Sequence, residues 1–147
     1  MRPQFDHERL KVYGDAVAFC AWTMPLLERM TTKIAARDQL DRASTSIVLN
    51  LAEGNGKRSY PDRSRYFDIA RGSALECAGC LDVLVARRVL ELTEAEAGKA
   101  RLIEIVSMIA GLLARFAGSG RVEEEQAPYG SDRGRDLRTW EKEKDKE

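Results

Sequence analysis

The chain has 147 residues, with 24 basic and 24 acidic side chains and a formal net charge of zero. That length supports one domain with one sizeable core, and the charge balance does not by itself point to nucleic acid or an anionic membrane. At 44% hydrophobic, 7% aromatic and 4 prolines, the composition predicts a folded protein and points away from a β-sandwich or barrel. No apolar run approaches a membrane span, and the opening MRPQFDHERLKVYGD is too polar for a signal peptide, so the expected location is the cytoplasm. Three cysteines, an odd number, fit a reducing compartment and argue against a disulfide scaffold.

The first helix is expected over about 7–32. Leu10, Tyr13, Val17, Cys20, Met24 and Leu27 are spaced 3, 4, 3, 4, 3, a heptad stripe that no strand produces. Pro25 lies inside it, and its missing N–H predicts a kink near Ala21–Trp22. The second helix is expected over about 38–54, with Asp38 as N-cap and Leu40, Ser44, Ile47 and Leu51 as its core lane. Gly54-Asn55-Gly56 is read as its end, because these residues tolerate the left-handed C-terminal conformation.

The third helix is expected over about 62–90, started by Ser59-Tyr60-Pro61-Asp62 with proline in the first turn. Phe67, Ala70, Ala74, Cys77, Leu81 and Leu84 form a second heptad stripe, and Tyr66, Ile69, Ser73, Glu76, Cys80 and Val83 form a lane beside it. The two lanes together are wider than one bundle interface requires. The fourth helix is expected over about 94–117, with Thr93 and Glu96 as a capping box, Leu102, Ile105, Val106, Ile109, Leu112, Leu113 and Phe116 inward, and Gly118 as its stop. With short connections and no strand pattern, the expected fold is all-α, an antiparallel up-down four-helix bundle over 5–117. Residues 118–147 contain five apolar residues in thirty (Val122, Ala127, Tyr129, Leu137 and Trp140). They are expected to form a disordered, mobile charged tail, with a frayed helix near 137–146.

Candidate chemistry is sparse. Cys77 and Cys80 have the spacing of a redox pair, but such a pair needs a lowered thiol pKa, usually at a helix N-terminus. Here both lie mid-helix on packing lanes, where cysteine acts as a small hydrophobe. His7 is the only histidine, so neither a zinc site nor a histidine-assisted nucleophile can be assembled from a second motif. The Glu-x-x-His pairs of di-iron bundles are absent. Gly54-Asn55-Gly56-Lys57-Arg58-Ser59 falls short of a phosphate-loop spacing and follows no strand. No catalytic, cofactor-binding or metal-binding residue is assigned, and no enzyme activity, small-molecule substrate or membrane partner is expected.

Two clusters carry more information. Ser46, Asn50 and Glu53 share one face of the second helix, and Ser73 with Glu76 forms a matching pair on the third. A solvated face is the plain reading. The apolar Ile69, Cys80 and Val83 on the same lane favour a structural polar network, since buried polar groups must be paired. Lys57, Arg58, Arg63, Arg65 and Arg71 face only Asp62 and Asp68 between positions 57 and 71. In an up-down bundle Arg9, Lys11 and Arg115 reach the same end, and Asp6, Glu8 and Glu53 partly offset them. A solvated turn explains the cluster equally well; the functional reading is a phosphate-contacting patch, with no aromatic interleaving to support base stacking.

Two segments resemble a known family. Residues 42–57, RASTSIVLNLAEGNGK, and residues 65–76, RYFDIARGSALE, are similar to the pattern S-I-x-x-N-I-A-E-G-x-G followed by R-x-x-x-x-A-x-G-S-x-x-E. This is the pattern of the four-helix-bundle family of 23S ribosomal RNA intervening-sequence proteins, which includes the accessory variability determinant of diversity-generating retroelements. Leu10-Lys11-Val12-Tyr13 also resembles the family's opening helix. The resemblance covers roughly 5–117. It implies a small non-enzymatic bundle that assembles as a homopentamer and, for the retroelement branch, binds a reverse transcriptase and nucleic acid. That branch is typically basic, whereas this chain is neutral, and the motifs are shared by both branches. A purely structural scaffold with a protein partner is the alternative. The acidic run Glu123-Glu124-Glu125 is expected to emerge near the basic turn and compete with nucleic acid for it.

Overall fold

In the computed structural model the described residues are 2–124, with side chains described for 2–117. A 3-10 turn, Asp6–Arg9, precedes four α-helices: α1 Lys11–Arg29, α2 Ala35–Gly56, α3 Tyr60–Ala86 and α4 Leu92–Glu124. There is no strand among the described residues. α3 is the central element: it packs most extensively on α2 and α4, while α1 closes the bundle against the same two helices. The order is up-down, so one end collects the start of α1, the end of α2, the start of α3 and the last turns of α4. Among the described residues, no helix is long and apolar enough to cross a membrane.

The core lanes of α2 and α3 follow the heptad spacing. Leu40, Ser44, Ile47 and Leu51 are buried, as are Phe67, Ala70, Ala74, Cys77, Leu81 and Leu84. On α4, Leu102, Ile105 and Ile109 are buried, and Val106, Leu112, Leu113 and Phe116 pack half-buried against them. On α1 the expected stripe holds only in part: Leu27 is buried, Leu10 and Tyr13 pack half-buried against the core, and Val17 and Met24 face out. The buried residues are Val12, Ala16, Phe19, Thr23, Leu26, Leu27 and Met30. Val17 is 44% and Met24 51% exposed. The two lanes differ by about a quarter turn at 100° per residue. Phe19 and Trp22 stack at 5.6 Å, and Gly98 on α4 lets the Trp22 ring lie where a Cβ would clash at 2.5 Å. These two aromatics set the roll of α1, and a stripe count gives every apolar residue equal weight.

Helix ends also differ from the expected ones. The first helix is two pieces, because Leu10 takes extended backbone (φ −72°, ψ 124°) between the 3-10 turn and α1. The helix assignment of α1 runs without interruption through Pro25. Asp38 does not cap α2; Ile34 holds that position, and Asp38 pairs with Arg37 at 2.9 Å inside the first turn. Gly54 and Gly56 are helical, neither with positive φ, and α2 ends at Gly56. Ser59 does cap α3, accepting the Asp62 N–H at 3.3 Å. α3 stops at Ala86, four residues early. Arg88 takes the left-handed conformation (φ 59°), with Arg88 N–H donating to Val85 and Val89 N–H to Leu84, the Schellman pattern without its usual glycine. Thr93 lies inside α4; the Glu94 carboxylate accepts the Glu91 N–H instead, at 3.3 Å. α4 runs through Gly118 and Gly120 to Glu124, since a glycine costs only about 1 kcal/mol in a helix relative to alanine. The expectation of a disordered tail is left for residues 125–147, which lie outside the described residues.

Candidate nucleic-acid interface

The basic end is built by three helix termini. Arg63, one turn into α3, donates from Nε to the Lys57 carbonyl at 2.7 Å, satisfying an orphan group just past α2. Its guanidinium lies 5.7 Å over the Phe116 ring of α4. Phe116 in turn contacts Tyr60 at 5.0 Å and Phe67 at 5.7 Å. Arg63 thereby ties three helices together, with donors to spare. Lys57 Nζ and the Arg65 guanidinium both lie over the Tyr66 ring, at 4.9 and 5.2 Å from its centroid. Arg58 is exposed in the connection between α2 and α3, and Arg65 is exposed on α3. Arg71 is half-buried about three turns into α3, on the side turned to α4 by the helical step. The five sequence-predicted cations therefore divide: Lys57, Arg58, Arg63 and Arg65 gather at the turn, and Arg71 stands apart along the helix.

Neighbouring charges are partly engaged. Lys11 pairs with Asp15 at 2.9 Å, and that hydrogen bond raises the Lys11 pKa. Asp6 accepts from Asn55 Nδ2 at 2.9 Å, joining the 3-10 turn to the end of α2. The reading that aromatics are not interleaved with this basic run is overturned. Tyr60, Tyr66 and Phe67 stand among the cations in sequence, and the fold adds Phe116 from α4. Tyr60 and Tyr66 lie among these cations in the sequence itself, whereas Phe116 arrives from another helix, which no local pattern indicates.

The polar cluster closes only in part. Ser46 and Ser73 hydroxyls bond at 2.8 Å across α2 and α3, and Asn50 Nδ2 donates to the Ser46 carbonyl at 2.8 Å and its hydroxyl at 3.0 Å. Glu53 and Glu76 are exposed and stand outside this network. The α2 members Ser46, Asn50 and Glu53 line a shallow depression of about 340 Å³ together with Leu49. Leu49 and, across on α3, Ile69 are large exposed apolar side chains. The α2–α3 packing beneath is close: a Cβ on Gly54 would stand 2.9 Å from Phe67 and from the Tyr66 Cβ. The glycine of the A-E-G motif is thus a helix-contact residue.

The thiols do not support redox chemistry. Cys20, Cys77 and Cys80 are free. Burial raises the Cys77 pKa far above the ordinary thiol range, with Cys80 and Glu76 nearby adding to it. Burial likewise raises Cys20, whose thiol meets the Ser44 carbonyl at 3.3 Å, and Cys80. A redox pair needs the opposite shift.

Fold and site together define a class: a small all-α bundle of four antiparallel helices with a basic, aromatic-lined end. Over residues 8–111 the sequence matches the model of the 23S rRNA-intervening sequence protein family, and the chain belongs to that family. Its fold is similar to a solved structure of a protein of unknown function from the S23 ribosomal protein family of Bacteroides thetaiotaomicron. That similarity has 20% sequence identity and a TM-score of 0.65, over 69% of this chain and 97% of the other. No curated protein matches the chain.

Proposed function

We propose that the chain is a non-enzymatic bundle that assembles with itself, as the pentamer the family resemblance implies, and binds structured RNA through its basic end. The observation that carries the reading is the placement of Lys57, Arg63 and Arg65 over the Tyr66 and Phe116 rings, with Arg58 exposed in the same turn. Cations at one end offer phosphate contacts, and a ring presents the same patch several times, so weak contacts add. The neutral whole-chain charge does not oppose this, because residues 1–117 hold 17 basic and 15 acidic side chains while 118–147 hold 7 and 9. A reverse transcriptase as protein partner belongs to the retroelement branch of the resemblance and would use the same end.

The outer α2–α3 face supports self-assembly. Leu49 and Ile69 are exposed there beside the Ser46–Ser73–Asn50 network, and an apolar patch rimmed by hydrogen-bonding groups is suited to a register-specific contact. The same face favours a second reading, a structural scaffold without nucleic acid. The test pairs light scattering with RNA binding across a salt series. The expected result is a multiple of the 16.5 kDa chain mass and RNA affinity that falls steeply with salt. Arg58→Glu with Arg65→Glu should weaken it while leaving assembly intact, since both side chains are exposed. A stable monomer at micromolar concentration removes the assembly claim. An assembly that binds no RNA even at low salt leaves the scaffold.

A further inference from the structure

A second apolar surface lies on the other side of α3. A groove of about 530 Å³ runs between α3 and α4, lined by Ala74, Leu75, Ala78, Leu102, Ile103 and Val106 and by the paired Asp82 and Lys99. Leu75 is 48% and Ile103 68% exposed, although neighbours on the same helices are fully packed. The volume suits a few large side chains and little more. A subunit contact needs roughly 800 Å² per partner, which this strip between two helices does not offer by itself.

The chain supplies a matching occupant. Residues 125–147 lie beyond the end of α4 and carry three large apolar side chains, Tyr129, Leu137 and Trp140, among six basic and seven acidic ones. Leu137 and Trp140 are three apart, so one helical turn presents both on one face. The reach is adequate. Glu124 stands about 26 Å along the α4 axis from Ser107 and about 38 Å from Lys99, at 1.5 Å per residue. Thirteen extended residues from Glu124 to Leu137 span up to about 43 Å. Arg138 and Glu141, adjacent in sequence to the apolar pair, carry charges opposite in sign to Asp82 and Lys99. A tethered ligand acts at an effective concentration on the order of millimolar, so two anchors suffice where a free partner would need many more contacts.

We propose that the segment around Leu137–Trp140 docks into the α3–α4 groove of its own chain. The proposal stands apart from RNA binding, which uses the opposite part of α3. The test places a reporter thiol in the groove as Ile103→Cys and measures its alkylation by mass spectrometry at low micromolar protein. It compares the full chain, a chain ending at Glu124, and the full chain carrying Leu137→Asp and Trp140→Asp. The expected result is labelling at least tenfold slower in the full chain, with both altered chains fast and equal. Circular dichroism should show the bundle retained in all three. Equal, fast labelling in full and truncated chains overturns the proposal. So does slow labelling that survives truncation, which would mean that a second copy covers the groove.

Discussion

At the scale of the residue, the chain's few unusual side chains have packing explanations. Gly54 lets α2 and α3 approach until a Cβ would sit 2.9 Å from Phe67 and the Tyr66 Cβ. The Tyr66 Cβ cannot rotate away, so the helices themselves must shift. Gly54→Ala should destabilise the bundle by about 1–3 kcal/mol, the usual range for overpacking; an unchanged denaturation midpoint would show that the contact yields freely. The thiols give a pH prediction. A raised folded-state pKa means that the fold keeps protons the unfolded chain releases. Their contribution is therefore intact below the ordinary thiol pKa of about 8.5 and shrinks as pH rises beyond it toward the folded value. Denaturation midpoints should fall between pH 8 and pH 10, and Cys77→Ala, the position with the largest shift, should flatten that fall. A midpoint equally pH-dependent in Cys77→Ala would place the effect elsewhere.

At the scale of the element, α1 is the instructive helix. Its heptad stripe and its true core lane differ by a quarter turn, and two substitutions separate them. Phe19, fully buried, should cost about 3–5 kcal/mol on truncation to alanine. Met24, half exposed in the monomeric bundle, should cost under about 0.5 kcal/mol. Melting curves of Phe19→Ala and Met24→Ala decide the matter; comparable losses would mean that Met24 is covered in the assembled protein. The lanes of α2 and α3 were legible because the heptad stripe of each helix is the one the core takes, even though α3 carries a second lane with Ile69 and Val83 beside it. On α1 apolar residues surround most of the helix, and periodicity alone cannot choose the inward side.

At the scale of the whole molecule, the length of α4 changes how the acidic run leaves the bundle. Helical backbone continues seven residues past Ala117, about 10 Å at the helical rise. Glu123 and Glu124 thus belong to the helical backbone of α4, and Glu125 lies outside the described residues. Removing 118–147 still takes two net negative charges from each chain, so RNA binding should tighten at low salt and change little at high salt. Removing only 125–147 takes one and should give the smaller effect. Equal affinity of all three chains would leave the acidic run without a role at the basic end.

The sequence by itself determined the all-α class, the four helices, the core lanes of α2, α3 and α4, and the motif residues that place the chain in its family. These are local properties: periodicity, capping at Ser59 and residue identity act within a few turns. Half of the polar network was legible for the same reason, since Asn50 and Ser46 are neighbours on one helix. The tertiary structure alone decided the rest. It chose the roll of α1 through Phe19 and Trp22, joined Ser46 to Ser73, and brought Phe116 under Arg63. It left Glu53 and Glu76 in water and opened the groove beside Leu75 and Ile103. Each of these is set by which helix lies opposite, a long-range fact that a single helix's pattern does not contain.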